Sequence, residues 1–153
     1  MKRQEEESIP RLMGRTHRLF RHNVDLLIRD YDVYPGQPPL LLRLAREDGQ
    51  SQKELASHMH VQPATLTVMI DRMAKHGLLE RKADTRDQRV SRVFLTDKGR
   101  AAATGVREAL ERLEERSFAR FSSEEREMFR ELLLRIYAEL EEHREQLGEE
   151  ADR

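Results

Sequence analysis

The 153-residue chain has no cysteine and no tryptophan, and aromatic residues make up only 5% of it. Without cysteine there can be no disulfide framework, Cys-ligated zinc site, thiol nucleophile or thiol redox switch. No apolar run approaches the roughly 20 residues of a membrane span, and the polar start Met1 to Glu7 lacks the apolar stretch of a secretory signal. A cytoplasmic protein with no membrane partner is the expectation. A Gly-rich phosphate loop and a nucleophile elbow are missing too, and the clustered glutamates carry no signature that would raise their pKa. Neither an enzyme nor a cofactor is expected. The length fits one ordinary domain or two small subdomains sharing a core.

What the chain has in excess is charge. Charged residues are 37% of it against a globular average of about 25%, which favours thin helical layers and oligomerisation over one thick core. The 28 Lys+Arg nearly cancel the 29 Asp+Glu, for a net charge of -1, but the two signs are separated along the chain. Arg72 to Arg92 holds seven basic residues against three acidic ones, whereas Glu108 to Arg153 holds eight Arg against fifteen acidic residues. An asymmetry of this kind points to a polyanion-facing segment in the middle of the chain.

The hydrophobic spacing reads as mostly α-helix with a small β-hairpin. Ser8 is placed to cap a first helix whose apolar positions run from Ile9 to Tyr31, and Tyr34-Pro35-Gly36 breaks it. A second helix spans about Pro38 to Glu47 and closes at Gly49. Ser51-Gln52-Lys53-Glu54 has the capping-box pattern for a third, and Gln62-Pro63 opens a fourth that stops at Gly77. The stretches Leu78–Lys82 and Val90–Leu95 form a hairpin with a charged tip. A fifth helix starts near Thr96 or Asp97, and a sixth is capped by Ser122 or Ser123. Disorder is expected only at the two ends, with 148–153 as a disordered tail.

Three helices followed by a basic hairpin give the order of a winged helix-turn-helix. Counting Gln52 as the first of a twenty-residue unit, the positions where the two helices cross are Leu55, Met59, Val61, Leu66 and Met69, all apolar, with the small Ala56 at the close approach. His60 departs from the glycine common at the turn. In such a unit the second helix enters the DNA major groove. Gln62, Ala64, Thr65, Thr67, Val68, Arg72 and Lys75 are the residues of that helix not needed for the core. They supply amide, hydroxyl and methyl groups for base edges and cations for phosphates. The competing reading of the same residues is an ordinary solvated face.

The ordered string Asp71-Arg72-Met73, Gly77-Leu78, Arg81, Asp84-Thr85-Arg86-Asp87-Gln88-Arg89 and Leu95-Thr96-Asp97-Lys98-Gly99 resembles the MarR family of bacterial winged-helix regulators. The resemblance implies that Arg86 of the wing enters a minor groove, while Arg89 meets phosphate or pairs with an acid. For Asp84 and Asp87 it implies bracing of wing arginines by ion pairs; turn formation by the Asp side chains is the alternative. It also implies a homodimer built from the first and last helices, with Ile9, Leu12, Leu19, Phe129, Leu132, Leu133, Ile136 and Leu140 as dimerisation residues. Residues 34–103 would then be the DNA-binding domain, and 1–33 with 104–147 the helical dimerisation region. A twofold dimer predicts double-stranded DNA with an inverted-repeat (palindromic) operator as partner. A repressor relieved by a small-molecule effector is the form the resemblance suggests, with no residue assigned to the ligand.

Two other readings remain open from sequence. The winged scaffold can serve as a protein-interaction module, or the six histidines can make a metal-responsive regulator. No metal ligand is assigned, because His58/His60 and His17/His22 do not have the i, i+4 spacing that puts two imidazoles on one helix face.

Overall fold

The computed structural model describes residues 7–151. They form two compact units that divide between Leu113 and Glu114, inside a helix.

The first unit opens with α1 (Ile9–Ile28), continued by one 3-10 turn over Arg29–Tyr31. The α-helix ends three residues sooner than the apolar spacing suggested, because Asp32 takes a left-handed φ of 57° and donates its N–H back to Arg29 O. Ser8 occupies the N-cap position, yet its side chain makes no capping hydrogen bond. α2 (Pro38–Arg46) begins on Pro38 and Pro39, whose fixed φ suits a first turn, and gives Leu40, Leu41 and Leu44 to the core. α3 (Gln52–Met59) carries the capping box in full: Glu54 N–H donates to Ser51 Oγ at 3.2 Å, and Ser51 N–H to Glu54 Oε2 at 2.7 Å. α4 (Pro63–Lys75) turns Leu66, Ile70 and Met73 inward.

β2 (Leu79–Ala83) and β3 (Ser91–Leu95) pair antiparallel with Leu79 opposite Leu95 and Ala83 opposite Ser91. A third strand that the sequence reading did not foresee, β1 (Gln50–Ser51), pairs with the other edge of β3. Two polar residues cannot display an alternating pattern. Gly49 leads into this strand at φ +72°, and a Cβ there would come within 2.6 Å of the Phe94 ring, so glycine is required twice over. α5 (Asp97–Ser117) buries Ala102, Ala103, Val106 and Ala109. Its Gly105 lies flat against the ring of Tyr31, leaving no room for a side chain.

The core of this unit joins Ile28 and Val33 to the inward faces of α2, α3 and α4, with Leu78, Val93 and Leu95 from the sheet and Val106 from α5. The five crossing positions of the helical hairpin meet here. Leu55 and Leu66 are fully buried, and Met59, Val61, Met69 and the small Ala56 pack against them half-buried. His60 holds the turn in the left-handed region at φ 51°, as a glycine would.

In the second unit, α6 (Ser123–Ala151) is capped by Ser122, whose Oγ accepts Glu125 N–H at 3.2 Å while its own N–H donates to Glu125 Oε2 at 2.8 Å. Phe118, Phe121 and Phe129 form an aromatic cluster with centroids 5.4 to 6.4 Å apart. The helix runs through Gly148 to Ala151, where a disordered tail was expected; 152 and 153 lie outside the described residues, as do 1–6.

Candidate nucleic-acid interface

The period of α4 divides its residues cleanly. With Leu66, Ile70 and Met73 buried, Gln62, Ala64, Thr65, Thr67, Val68, Arg72 and Lys75 are all exposed. Proline at the first position removes one of the unpaired N–H groups and fixes where the exposed face begins. Thr67 differs from its neighbours in one respect. Its Oγ1 donates to Pro63 O at 3.0 Å and accepts from Gln52 Nε2 at 3.0 Å, so the hydroxyl already ties α4 to α3 and only the methyl is free to meet a ligand.

The wing tip is built by two Asp side chains. Asp84 Oδ1 accepts the N–H groups of Arg86 at 2.7 Å and Asp87 at 3.0 Å, and Asp87 Oδ1 accepts that of Arg89 at 3.0 Å. Asp84 also takes a charge-assisted hydrogen bond from Arg92 Nε. Asp84 therefore does both things considered for it, turn formation and bracing, but the arginine it holds is Arg92 rather than Arg86 or Arg89. Asp87 forms a turn and makes no ion pair among the described residues. The Arg92 bond, followed by the Asp87 and Arg86 N–H groups, holds the Asp84 carboxyl far below the usual carboxylate range.

Arg92 is the functional-site residue that sequence reading missed. From β3 it reaches Asp84 in the wing, donates through Nη1 to Gly49 O at 2.9 Å, and lies 3.6 Å from Glu54 in the capping box of α3. One guanidinium thus ties the root of the wing to the helix that supports α4. Its partners are distant in sequence, so no local spacing could have announced it.

These contacts sort the basic island. Arg81 is paired with Asp71 at 2.6 Å, Lys82 with Glu80 at 2.7 Å, and Arg92 as just described. The side chains of Arg72, Lys75, Arg86 and Arg89 make no ion pair or hydrogen bond among the described residues, and all four are exposed. The paired cations hold the scaffold together, and the unpaired ones gather on α4 and at the wing tip. A surface of this form suits a polyanion: charges already neutralised contribute little to a long-range field, whereas free ones attract and pair with phosphate.

The MarR family model matches residues 34–91. Over that stretch, which is the winged core, this chain is similar to the MarR family. The HTH-type transcriptional regulator TtmR of Methylorubrum extorquens (strain PA1) is 38% identical over 84 residues, which is 55% of this chain and 43% of TtmR, so the match spans less than half of that relative. A MarR transcriptional regulator from Methanosarcina mazei Go1 of known structure is 28% identical, with 87% of this chain and 96% of that one aligned at a TM-score of 0.73. The S. aureus MepR–DNA complex matches 88% of this chain and 99% of its own at a TM-score of 0.79 and 19% identity, which is a likeness of fold. The MarR winged-helix architecture expected from sequence is thus the one observed.

No group of three or more His, Asp or Glu among the described residues is arranged to hold a metal ion. The His58 ring instead lies 3.4 Å from Arg43 Nη2, and His60 forms the turn between α3 and α4. No described helix is long and apolar enough to cross a membrane.

Proposed function

We propose that the chain is a homodimeric transcriptional regulator that binds double-stranded DNA sequence-specifically at an inverted repeat, and that it acts as a ligand-relieved repressor. The observation that carries this reading is the segregation of the basic island, with its four unpaired cations confined to α4 and the wing tip. The amino-terminal turns of α4, through Gln62, Ala64, Thr65 and Val68, meet base edges in the major groove, and Thr67 contributes its methyl group. Arg72 and Lys75 contact phosphates. Arg86 enters the adjacent minor groove, where a narrow A·T-rich segment attracts arginine, and Arg89 meets the backbone. Asp84 braces the wing through Arg92, and Asp87 shapes its tip. The likeness of fold to MepR, a structure of a DNA complex, supports the reading.

Dimerisation through residues 1–33 and 104–147 is supported by the apolar side chains that a single chain leaves exposed, among them Ile9, Leu12 and Leu19 on α1 and Phe129, Leu132, Leu133, Ile136 and Leu140 on α6. A small-molecule effector relieves repression if it prefers a separation of the two α4 helices that does not fit the operator, since a ligand shifts an equilibrium only by its differential affinity.

Titration of duplex binding against salt tests the reading. The logarithm of the binding constant should fall linearly with that of salt, by about 0.9 for each phosphate neutralised. An Arg86→Ala chain should keep its fold and bind more weakly. Absence of duplex affinity even at low salt would leave the winged scaffold as a protein-interaction module.

A further inference from the structure

The string Leu95-Thr96-Asp97-Lys98-Gly99 contributes nothing to the DNA-facing surface, yet it is tied closely to the carboxyl end of α4. Three successive carbonyls beyond that helix each receive a donor from it. His76 O accepts Lys98 Nζ at 2.9 Å, Gly77 O accepts Thr96 Oγ1 at 2.5 Å, and Leu78 O accepts Thr96 N–H at 3.1 Å. Thr96 Oγ1 also accepts Gly99 N–H at 3.0 Å, and Gly99 packs so tightly on Leu78 O that any Cβ would collide with it. These carbonyls belong to the cap and the segment leaving α4 rather than to the helix itself, and one short stretch of chain takes all three.

Lys98 reaches further. Its ammonium lies 2.5 Å from Asp32 Oδ2, the residue that ends the 3-10 turn after α1 in a left-handed conformation. Two residues on, the Tyr34 ring packs against His76 at a tilt of 44°, with centroids 5.0 Å apart. One cation therefore joins the exit of α1, the exit of α4 and the start of α5. Both charged side chains are about half exposed, so solvent screens the pair and it adds little to stability. What three attachments to a helix end do fix is its direction.

We propose that Lys98, held by Asp32, is a positioning residue for DNA recognition: it sets the angle at which α4 is presented and couples that angle to the exit of α1. The proposal rests on the reading of the chain as a DNA-binding regulator. It makes Lys98→Met, which keeps the apolar stem and removes the ammonium, a variant that folds normally but aims α4 less definitely.

The test selects duplexes from a random pool with the parent chain. It then measures binding of parent, Lys98→Met, Asp32→Asn and Lys98→Arg to the selected duplex and to versions with the half-sites one base pair closer or further apart. Asn tolerates the left-handed backbone of position 32, so Asp32→Asn carries the same test should Lys98→Met fail to fold. The expected result is a thermal midpoint unchanged within about 2 °C and an unchanged salt slope, with affinity for the selected duplex down about tenfold. Discrimination between spacings should weaken as well, and Lys98→Arg should restore it. Parental affinity and spacing preference in both Lys98→Met and Asp32→Asn would overturn the proposal alone. A parent chain that selects no duplex would overturn the DNA-binding reading and this proposal with it.

Discussion

Asp84 has two kinds of partner, and each depends on its negative charge. Because the folded carboxyl titrates below its ordinary value of 3.8, the unfolded chain takes up this proton first as pH falls. The stabilisation is fully present above that value and is lost as pH drops toward the folded one. Glu54, held down chiefly by the Ser51 N–H, loses its contribution in the neighbouring window below 4.5. Acidification should therefore loosen the wing tip and the start of α3 together. Asp84→Asn should flatten the pH dependence of the Arg86 and Asp87 amides, followed by hydrogen exchange or NMR shifts, while the Ser51 and Glu54 amides still respond. Equal flattening at both places would show that Asp84 is not the wing's own titrating group. His60 stores the opposite kind of term. A non-glycine residue in the left-handed region is strained by about 1–2 kcal/mol, part of which glycine gives back as entropy of the unfolded chain. His60→Gly should raise stability by about 0.5–1 kcal/mol, with a midpoint about 2 °C higher by thermal denaturation, whereas His60→Ala should not.

At the scale of the element, α4 gives one face to the core and leaves the other exposed, and the exposed face is graded along its length. The amino-terminal turns present Thr65 and Val68, which carry a hydroxyl and methyl groups, and the later turns present the unpaired Arg72 and Lys75. Thr65→Val should change which duplexes a random pool yields. Lys75→Ala should weaken binding to all duplexes alike and reduce the salt slope by about 1. A common outcome for the two variants would remove the division of labour. The parts of this surface that could be read from sequence are those set by neighbours a few residues apart. The Ser51–Glu54 box, the proline opening α4 and the apolar period that buries Leu66 and Ile70 are local chemistry. β1 could not be read that way, because Gln50 and Ser51 are a strand only by virtue of Val93 and Arg92 alongside them. The same holds for Arg92 itself, for the engagement of Thr67 by Gln52, and for the meeting of Lys98 with Asp32. Each is decided by where two distant segments are brought together, and no periodicity records that. The end of α1 falls between the two cases: its apolar spacing continues to Tyr31 while the backbone at Asp32 has already turned left-handed.

For the whole molecule, the question is what covers the terminal helices. On α6, Phe129, Leu132, Leu133, Ile136 and Leu140 lie along one helical stripe, and none is less than 36% exposed. On α1, Ile9 is 68% and Leu19 62% exposed. Scattered apolar residues on a surface need no explanation, but two helices with continuous apolar stripes in a chain so rich in charge do. Burial at roughly 25 cal/mol per Å2 is the available driving force, and a second copy supplies a matching apolar surface without any new sequence. An inverted-repeat operator requires a twofold pair to present its two α4 helices about 34 Å apart, one turn of duplex, so dimerisation and inverted-repeat recognition are tested together. Leu132→Glu puts a charge within the α6 stripe, at a position 47% exposed in the single chain, where the fold of one subunit tolerates it. Sedimentation velocity at micromolar concentration should show the parent at twice its 18.1 kDa chain mass and the variant at a single chain mass. The variant should keep the helical circular dichroism of the parent and bind an isolated half-site about as well, while losing most of the gain from the second half-site. A parent that sediments as one chain would remove the dimer and, with it, the reason to expect a palindrome. A variant that remains dimeric would move the interface off this stripe of α6.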